Sequence, residues 1–227
     1  MSADPAVKSA AFPAALPRDP EPIRIRTLAL LRWIAIAGQL AAVIVAHFMS
    51  IGFPVLPVLV LIAAAVAMNL WLSLRPFMRA SPSHAIVQLG FDLMQNSALM
   101  ALTGGMTNPF ALLVLAPVTI AATSLNLRQT LALSLAAVAL ISVAAMVAIP
   151  LQDADGGVLR LAPILALGHW AALVIGVAFF AYYAHRVTAE LSATSNALFA
   201  TQMALAREQR LQHLGGVVAA AAHGMGT

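Results

Sequence analysis

The sequence predicts an all-α membrane protein: a six-transmembrane-helix bundle followed by a long cytoplasmic helix. Three observations predict it. Of 227 residues, 62% are hydrophobic and 9% charged, with a mean hydropathy of +0.92, whereas soluble domains carry roughly 25% charged residues. Six apolar segments, 28–48, 54–74, 85–103, 110–127, 129–149 and 163–184, are separated by short polar or Pro/Gly-containing breaks, and each is close to the roughly 20 residues that a span requires. Finally, a six-span count puts eleven of the twelve Lys and Arg residues on one side.

That asymmetry sets the orientation. Lys8, Arg18, Arg24, Arg26 and Arg32 precede or begin the first segment, Arg75 and Arg79 fall between the second and third, Arg128 between the fourth and fifth, and Arg186, Arg207 and Arg210 after the sixth. Arg160 alone falls opposite, beside Asp153 and Asp155. The positive-inside rule makes the richer side cytoplasmic, with both termini there. A multi-pass membrane location follows. The basic excess of only four charges is then a matter of membrane orientation and calls for no nucleic-acid partner.

Residues 1–22 hold Pro5, Pro13, Pro17, Pro20 and Pro22 without a continuous apolar core. They read as a disordered cytoplasmic tail rather than a signal peptide. Residues 23–184 form the membrane domain. Residues 185–227 form a cytoplasmic linker helix and the start of a further helix. Leu191, Leu198 and Leu205 recur every seven residues there, a coiled-coil spacing that favours a homodimer. Helical throughout, residues 185–223 would reach about 55 Å at 1.5 Å per residue, with Gly215–Gly216 as the weak point. No cysteine is present, which leaves no disulfide and no thiolate metal site.

Within the apolar segments, few residues can carry chemistry. Gln88, Asp92, Gln95, Asn96 and Thr103 share one helical face. Asp92 is the one acidic residue inside any span, and an intramembrane carboxylate turns toward the bundle interior. The stripe reads either as interhelical hydrogen bonding or as a path along which Asp92 relays a proton. His47 and His169 near span ends read as interfacial rather than as metal ligands, so no metal is expected. Trp33, Trp71 and Trp170 suit an aromatic belt, and Pro117 is placed to kink the fourth span. Asp153-Ala154-Asp155-Gly156-Gly157 reads as a polar turn. No nucleotide-binding loop or nucleophile elbow occurs.

The densest signal is Gly104-Gly105-Met106-Thr107-Asn108-Pro109-Phe110, between the third and fourth segments. Gly-Gly followed by Asn-Pro cannot continue a helix. Non-helical backbone at membrane depth must be buried or line a cavity. Asn108 offers a donor and an acceptor, Phe110 a face for stacking, and the glycines a close approach to backbone. This stretch resembles the GGxxNPF heptapeptide of the RegB/PrrB/ActS family of redox-responsive sensor histidine kinases. The resemblance implies ubiquinone as the sensed ligand, held at Gly104, Gly105, Asn108, Pro109 and Phe110, with Asp92 as a proton-linked residue.

The end of the chain extends the likeness. Ala219 to Ala222, then His223-Gly224-Met225-Gly226-Thr227, is similar to the family's phospho-acceptor box, an Ala-rich helix followed by His-Glu-Leu-Gly-Thr-Pro-Leu. The resemblance implies His223 as the phospho-acceptor of an ATP-dependent protein-histidine kinase. Gly224 stands where the family has Glu, which would accept the imidazole proton, and Met225 replaces Leu. The likeness covers only the sensor half, so ATP would act through a domain outside this chain. A cognate response regulator would dock on the dimerisation domain. Two other readings stay open: a small polytopic transporter or scaffold, and a truncated kinase remnant that does not signal.

Overall fold

A computed structural model describes residues 25–74 and 82–225, with side chains at 29–74 and 83–213. The predicted tail 1–22, Arg75 and Arg79 lie outside the described residues. Helices form at all six apolar segments: α1 (Ile25–Phe48), α2 (Val55–Ser73), α3 (Pro82–Leu102), α4 (Leu115–Ser124), α5 (Leu127–Met146) and α6 (Pro163–Met225). The all-α expectation holds apart from one two-stranded hairpin, β1 (Leu151–Gln152) with β2 (Val158–Leu159).

The six-span count is not reproduced. Among the described residues, α1, α2, α5 and α6 are long and apolar enough to cross a membrane. They make this a membrane protein, with large side chains such as Leu30, Ile34, Leu56, Leu135 and Ile175 facing outward. The third and fourth segments fall short for different reasons. α3 is diluted by Gln88, Asp92, Gln95 and Asn96. The fourth does not start as an α-helix: Pro109–Val114 is a 3₁₀ helix, and the apolar stretch Pro109–Ser124 is short. Pro117 sits in the first turn of α4, directly after the 3₁₀ helix.

Two apolar clusters share α3. On one side Ile36 of α1 and Val58, Ile62 and Ala65 of α2 meet Leu99. On the other, Leu89, Leu93 and Met100 join Val114, Val118, Ala121, Ala137, Ile141, Leu173 and Val177. α4 and α6 make the most extensive helix pair. Small residues, Ala121, Ala137 and Ala181 among them, line this second core, as suits helices that associate by close packing rather than by water exclusion.

α5 begins on a full capping box. The Asn126 side chain accepts from Gln129 N at 3.0 Å, and Gln129 Oε1 accepts from Asn126 N at 3.3 Å. Asn126→Ala should therefore cost about 1 kcal/mol of stability, readable as a small downward shift in thermal unfolding in detergent. An unshifted transition would mean that the cap carries no stability.

α6 runs unbroken for 63 residues, through Gly215–Gly216. The expected weak point is thus helical. Leu191, Leu198 and Leu205 are exposed along it. His223 lies on its last turns, and its side chain is outside the described residues.

At the end of the bundle opposite His223, called the turn end, backbone bonds stitch the connections together. Gly52 and Gln152 exchange bonds of 2.8 and 3.0 Å, Gly104 N donates to Ile149 O at 3.1 Å, and Ile149 N to Ala101 O at 2.8 Å. The break between α5 and α6 is thus a small hairpin tied to Gly52. Its tip is the predicted polar turn, with Asp153 Oδ1 accepting from Asp155 N and Gly157 N.

Candidate functional site: a polar seam ending in a cavity

The stripe on α3 pairs almost entirely with α1. Asp92 forms a fork with Arg32: Nε to Oδ1 at 2.7 Å and an Nη to Oδ2 at 2.8 Å. The Arg32 side chain is 5% exposed and that of Asp92 21%, so this is an interior pair and not a surface one. Two turns further along α1, Gln39 and Gln95 exchange amide bonds of 3.2 and 3.0 Å, and Gln39 Nε2 also donates to Asn96 Oδ1 at 2.9 Å. Asn69 of α2 donates to Ala29 O at 3.0 Å, tying the third helix in.

The charge pattern alone puts Arg32 among the cytoplasmic charges at the start of a span. It lies instead inside the bundle, as the partner of Asp92. The stripe thereby acts chiefly as interhelical bonding, and Asp92 already has a full partner. Sequence reading misses Arg32 and Gln39 as site residues. The available signal is their spacing: seven residues apart, they share a face of α1, as Asp92 and Asn96 do on α3.

At the turn end the seam opens into a cavity of about 180 Å³. Most of its wall is apolar, including Val43, Met49, Phe53, Val58, Ile62 and Leu113. Four polar residues and the tip of the turn reach it: Gln39, Asn96, Thr103 and Asn108, and then Pro109 and Phe110. Asn96 accepts from Gln39, which leaves its Nδ2 hydrogens without a protein partner among the described residues. Asn108 Nδ2 donates to Thr103 Oγ1 at 2.6 Å, and Asn108 Oδ1 accepts from Phe110 N at 2.7 Å. Asn108 thus caps the 3₁₀ helix that starts at Pro109. Phe110 remains half-exposed.

The heptapeptide is divided. Asn108, Pro109 and Phe110 line this cavity, while Gly104 and Gly105 do not. Gly104 has φ +93° and Gly105 φ +58°, a left-handed pair that side chains disfavour. A Cβ on Gly104 would meet Leu151 Cγ at 2.9 Å, and one on Gly105 would meet Ala148 Cβ at 2.6 Å. The close approach that these glycines permit is to the protein itself, to β1 and the stretch that follows α5. Asp92 is likewise absent from the cavity wall.

The turn is also bonded to α6. A His169 ring nitrogen, Nδ1, lies 3.0 Å from Met106 O, and since the carbonyl only accepts, the ring N–H donates there. Trp170 Nε1 donates to Ser142 Oγ of α5 at 3.0 Å. His47 makes a tilted ring contact with Phe48. Among the described residues no group of three metal-ligating side chains converges.

No protein-family model matches the chain, and no solved structure matches it. Two curated proteins do. The sensor histidine kinase RegB of Cereibacter sphaeroides is 46% identical over 210 residues, covering 90% of this chain and 45% of the relative. RegB of a named strain of the same species is 46% identical over 211 residues, with the same shares covered. The chain spans about half the length of the curated relatives it matches. Over nine-tenths of its own length, it matches the N-terminal half of RegB-type sensor histidine kinases.

Proposed function

We propose that this chain is the membrane-sensing portion of a quinone-responsive, two-component histidine kinase. Its ligand would be ubiquinone, a flat ring with two carbonyl acceptors on an apolar tail. The observation that carries the reading is the apolar cavity into which Gln39, Asn96, Thr103 and Asn108 project alongside Phe110. The donor set fits a carbonyl acceptor, because Asn96 has amide hydrogens to give. At about 180 Å³ the cavity falls below the roughly 300–1,000 Å³ that encloses a whole drug-sized ligand. It suits one ring, with the tail leaving toward lipid.

The output would run through α6. His169 holds the turn carbonyl at one end of that helix, and His223 is carried near the other. A ligand shifts such a bundle only if it binds two arrangements differently. The seam offers the alternative: Gln39 Nε2, which donates to Gln95 and Asn96, would instead donate to a quinone carbonyl. In this reading the bundle sits in the inner membrane with both termini cytoplasmic. The exposed leucines of α6 pair with a second copy. His223 accepts phosphate from ATP bound in a domain outside this chain and passes it to a response regulator. Pairing of Asp92 with Arg32 argues against the transporter alternative, since a committed carboxylate is a poor carrier of protons.

The test is binding of a ubiquinone analogue to purified protein. Asn96→Ala, Asn108→Ala and Phe110→Ala should each weaken it about fivefold, the equivalent of ~1 kcal/mol of lost hydrogen bonding or stacking. Equal binding by all three variants and the parent would sink the quinone site.

A further inference from the structure

A second cavity, of about 590 Å³, lies across the turn from the first, between the turn ends of α5 and α6 and beneath the hairpin. The quinone reading does not use it, and a ligand in it would be independent of that reading. Its apolar wall includes Ala145, Met146, Ala166 and Leu167, and the Trp170 ring. The Trp170 N–H is given to Ser142, which leaves the ring as a fixed apolar face. The one charged residue on the wall is Arg160.

Arg160 has neither an ion pair nor a side-chain hydrogen bond among the described residues. Asp153 and Asp155 are the nearest acidic residues in sequence, and neither pairs with it. Asp153 instead turns back onto the hairpin backbone. A free cation beside an apolar groove, at the end of membrane-crossing helices, has the layout of a headgroup site joined to a chain site. A neutral lipid would leave the guanidinium unused, and a soluble anion would leave the apolar wall wet.

We propose that this cavity seats an anionic phospholipid, with its phosphate on Arg160 and one acyl chain against Met146 and Leu167. Gly104, Met106 and Thr107 form part of the same wall. A bound lipid would thus bear on the turn from the face opposite the first cavity, beside the His169 bond to Met106.

Trp170 reports occupancy directly. In a Trp33→Phe/Trp71→Phe background it is the remaining tryptophan. The full chain, in nanodiscs of phosphatidylcholine, is titrated with phosphatidylglycerol or phosphatidylcholine carrying brominated acyl chains, and quenching is followed. Phosphatidylglycerol should quench with about fivefold higher apparent affinity, the worth of one basic side chain at a lipid headgroup. Arg160→Gln should abolish that preference while leaving quenching by phosphatidylcholine unchanged. Arg128→Gln, at the other end of the bundle, should keep it. Equal quenching by the two lipids, or a preference that survives Arg160→Gln, overturns the proposal. So does displacement by glycerol phosphate alone, which would make this a plain anion site, or by a short-chain quinone at comparable affinity, which would make it a quinone site. Arg160 is exposed, so its variant should fold, and an unchanged thermal transition checks this.

Discussion

Asp92→Ala should destabilise the bundle by about 3–5 kcal/mol, because it strands the Arg32 guanidinium in the interior without its carboxylate. The expected readout is a large fall in the thermal or SDS-induced unfolding midpoint in detergent micelles. The cost belongs to the unpaired charge and not to the loss of the pair itself. Replacing both partners, as Arg32→Met with Asp92→Leu, should therefore recover most of it. If Asp92→Ala unfolds like the parent, the fork contributes nothing and the seam is held by its amides alone. Asp92→Asn separates this task from the proton-linked one. It keeps a hydrogen-bonding side chain but cannot titrate. Asp92 does not reach the cavity wall, so quinone affinity in Asp92→Asn should match the parent at every pH. A pH-dependent loss would restore the proton role.

The second large effect is expected at the glycine pair, with the two positions unequal. Gly105→Ala should cost about 2–5 kcal/mol, combining ~1–2 for a left-handed non-glycine residue with ~1–3 for overpacking. Its new methyl would meet the Ala148 Cβ at 2.6 Å, and a Cβ on backbone held between the end of α5 and the Ile149 hydrogen bonds has little freedom to withdraw. Gly104→Ala meets the end of a leucine side chain instead, Leu151 Cγ at 2.9 Å. That side chain can rotate away, so the cost there should stay near the ~1–2 kcal/mol of backbone strain alone. Equal midpoints for the two variants would show that packing against Ala148 does not matter. These losses would be structural and would appear in the absence of any quinone.

The two positions also show how far the sequence can be read. The helical segments are legible because apolar length is a one-dimensional property, and the heptapeptide because Gly-Gly and Asn-Pro break helices wherever they occur. Asn108, Pro109 and Phe110 reach a common cavity. The glycines do not, because a residue's freedom to be approached does not say what approaches it. Arg32 is misplaced by the sequence for a related reason. An arginine near the start of an apolar run looks like an interfacial anchor until a carboxylate sixty residues on proves to be its neighbour. The hairpin is carried by pairs, Leu151 with Leu159 and Gln152 with Val158, and by a bridge to Gly52. None of these has a periodic signature. The fourth segment falls short as a span because the same Asn108-Pro109 that marks the turn also starts a 3₁₀ helix, which uses up its first residues.

The seam has a consequence for how α1 can move. Its contacts, Arg32 with Asp92 and Gln39 with Gln95 and Asn96, lie about two helical turns apart, at ~5.4 Å per turn. α1 and α3 are both rigid over that distance. A slide of an ångström or two would stretch every one of these bonds at once, with no new partner until the offset reached a whole turn. The lipid-facing side of α1 offers no resistance to sliding, so its contacts with α2 and α3 set the detents. Such a helix has a small set of permitted depths rather than a continuum, and any signal passed through it would be stepwise.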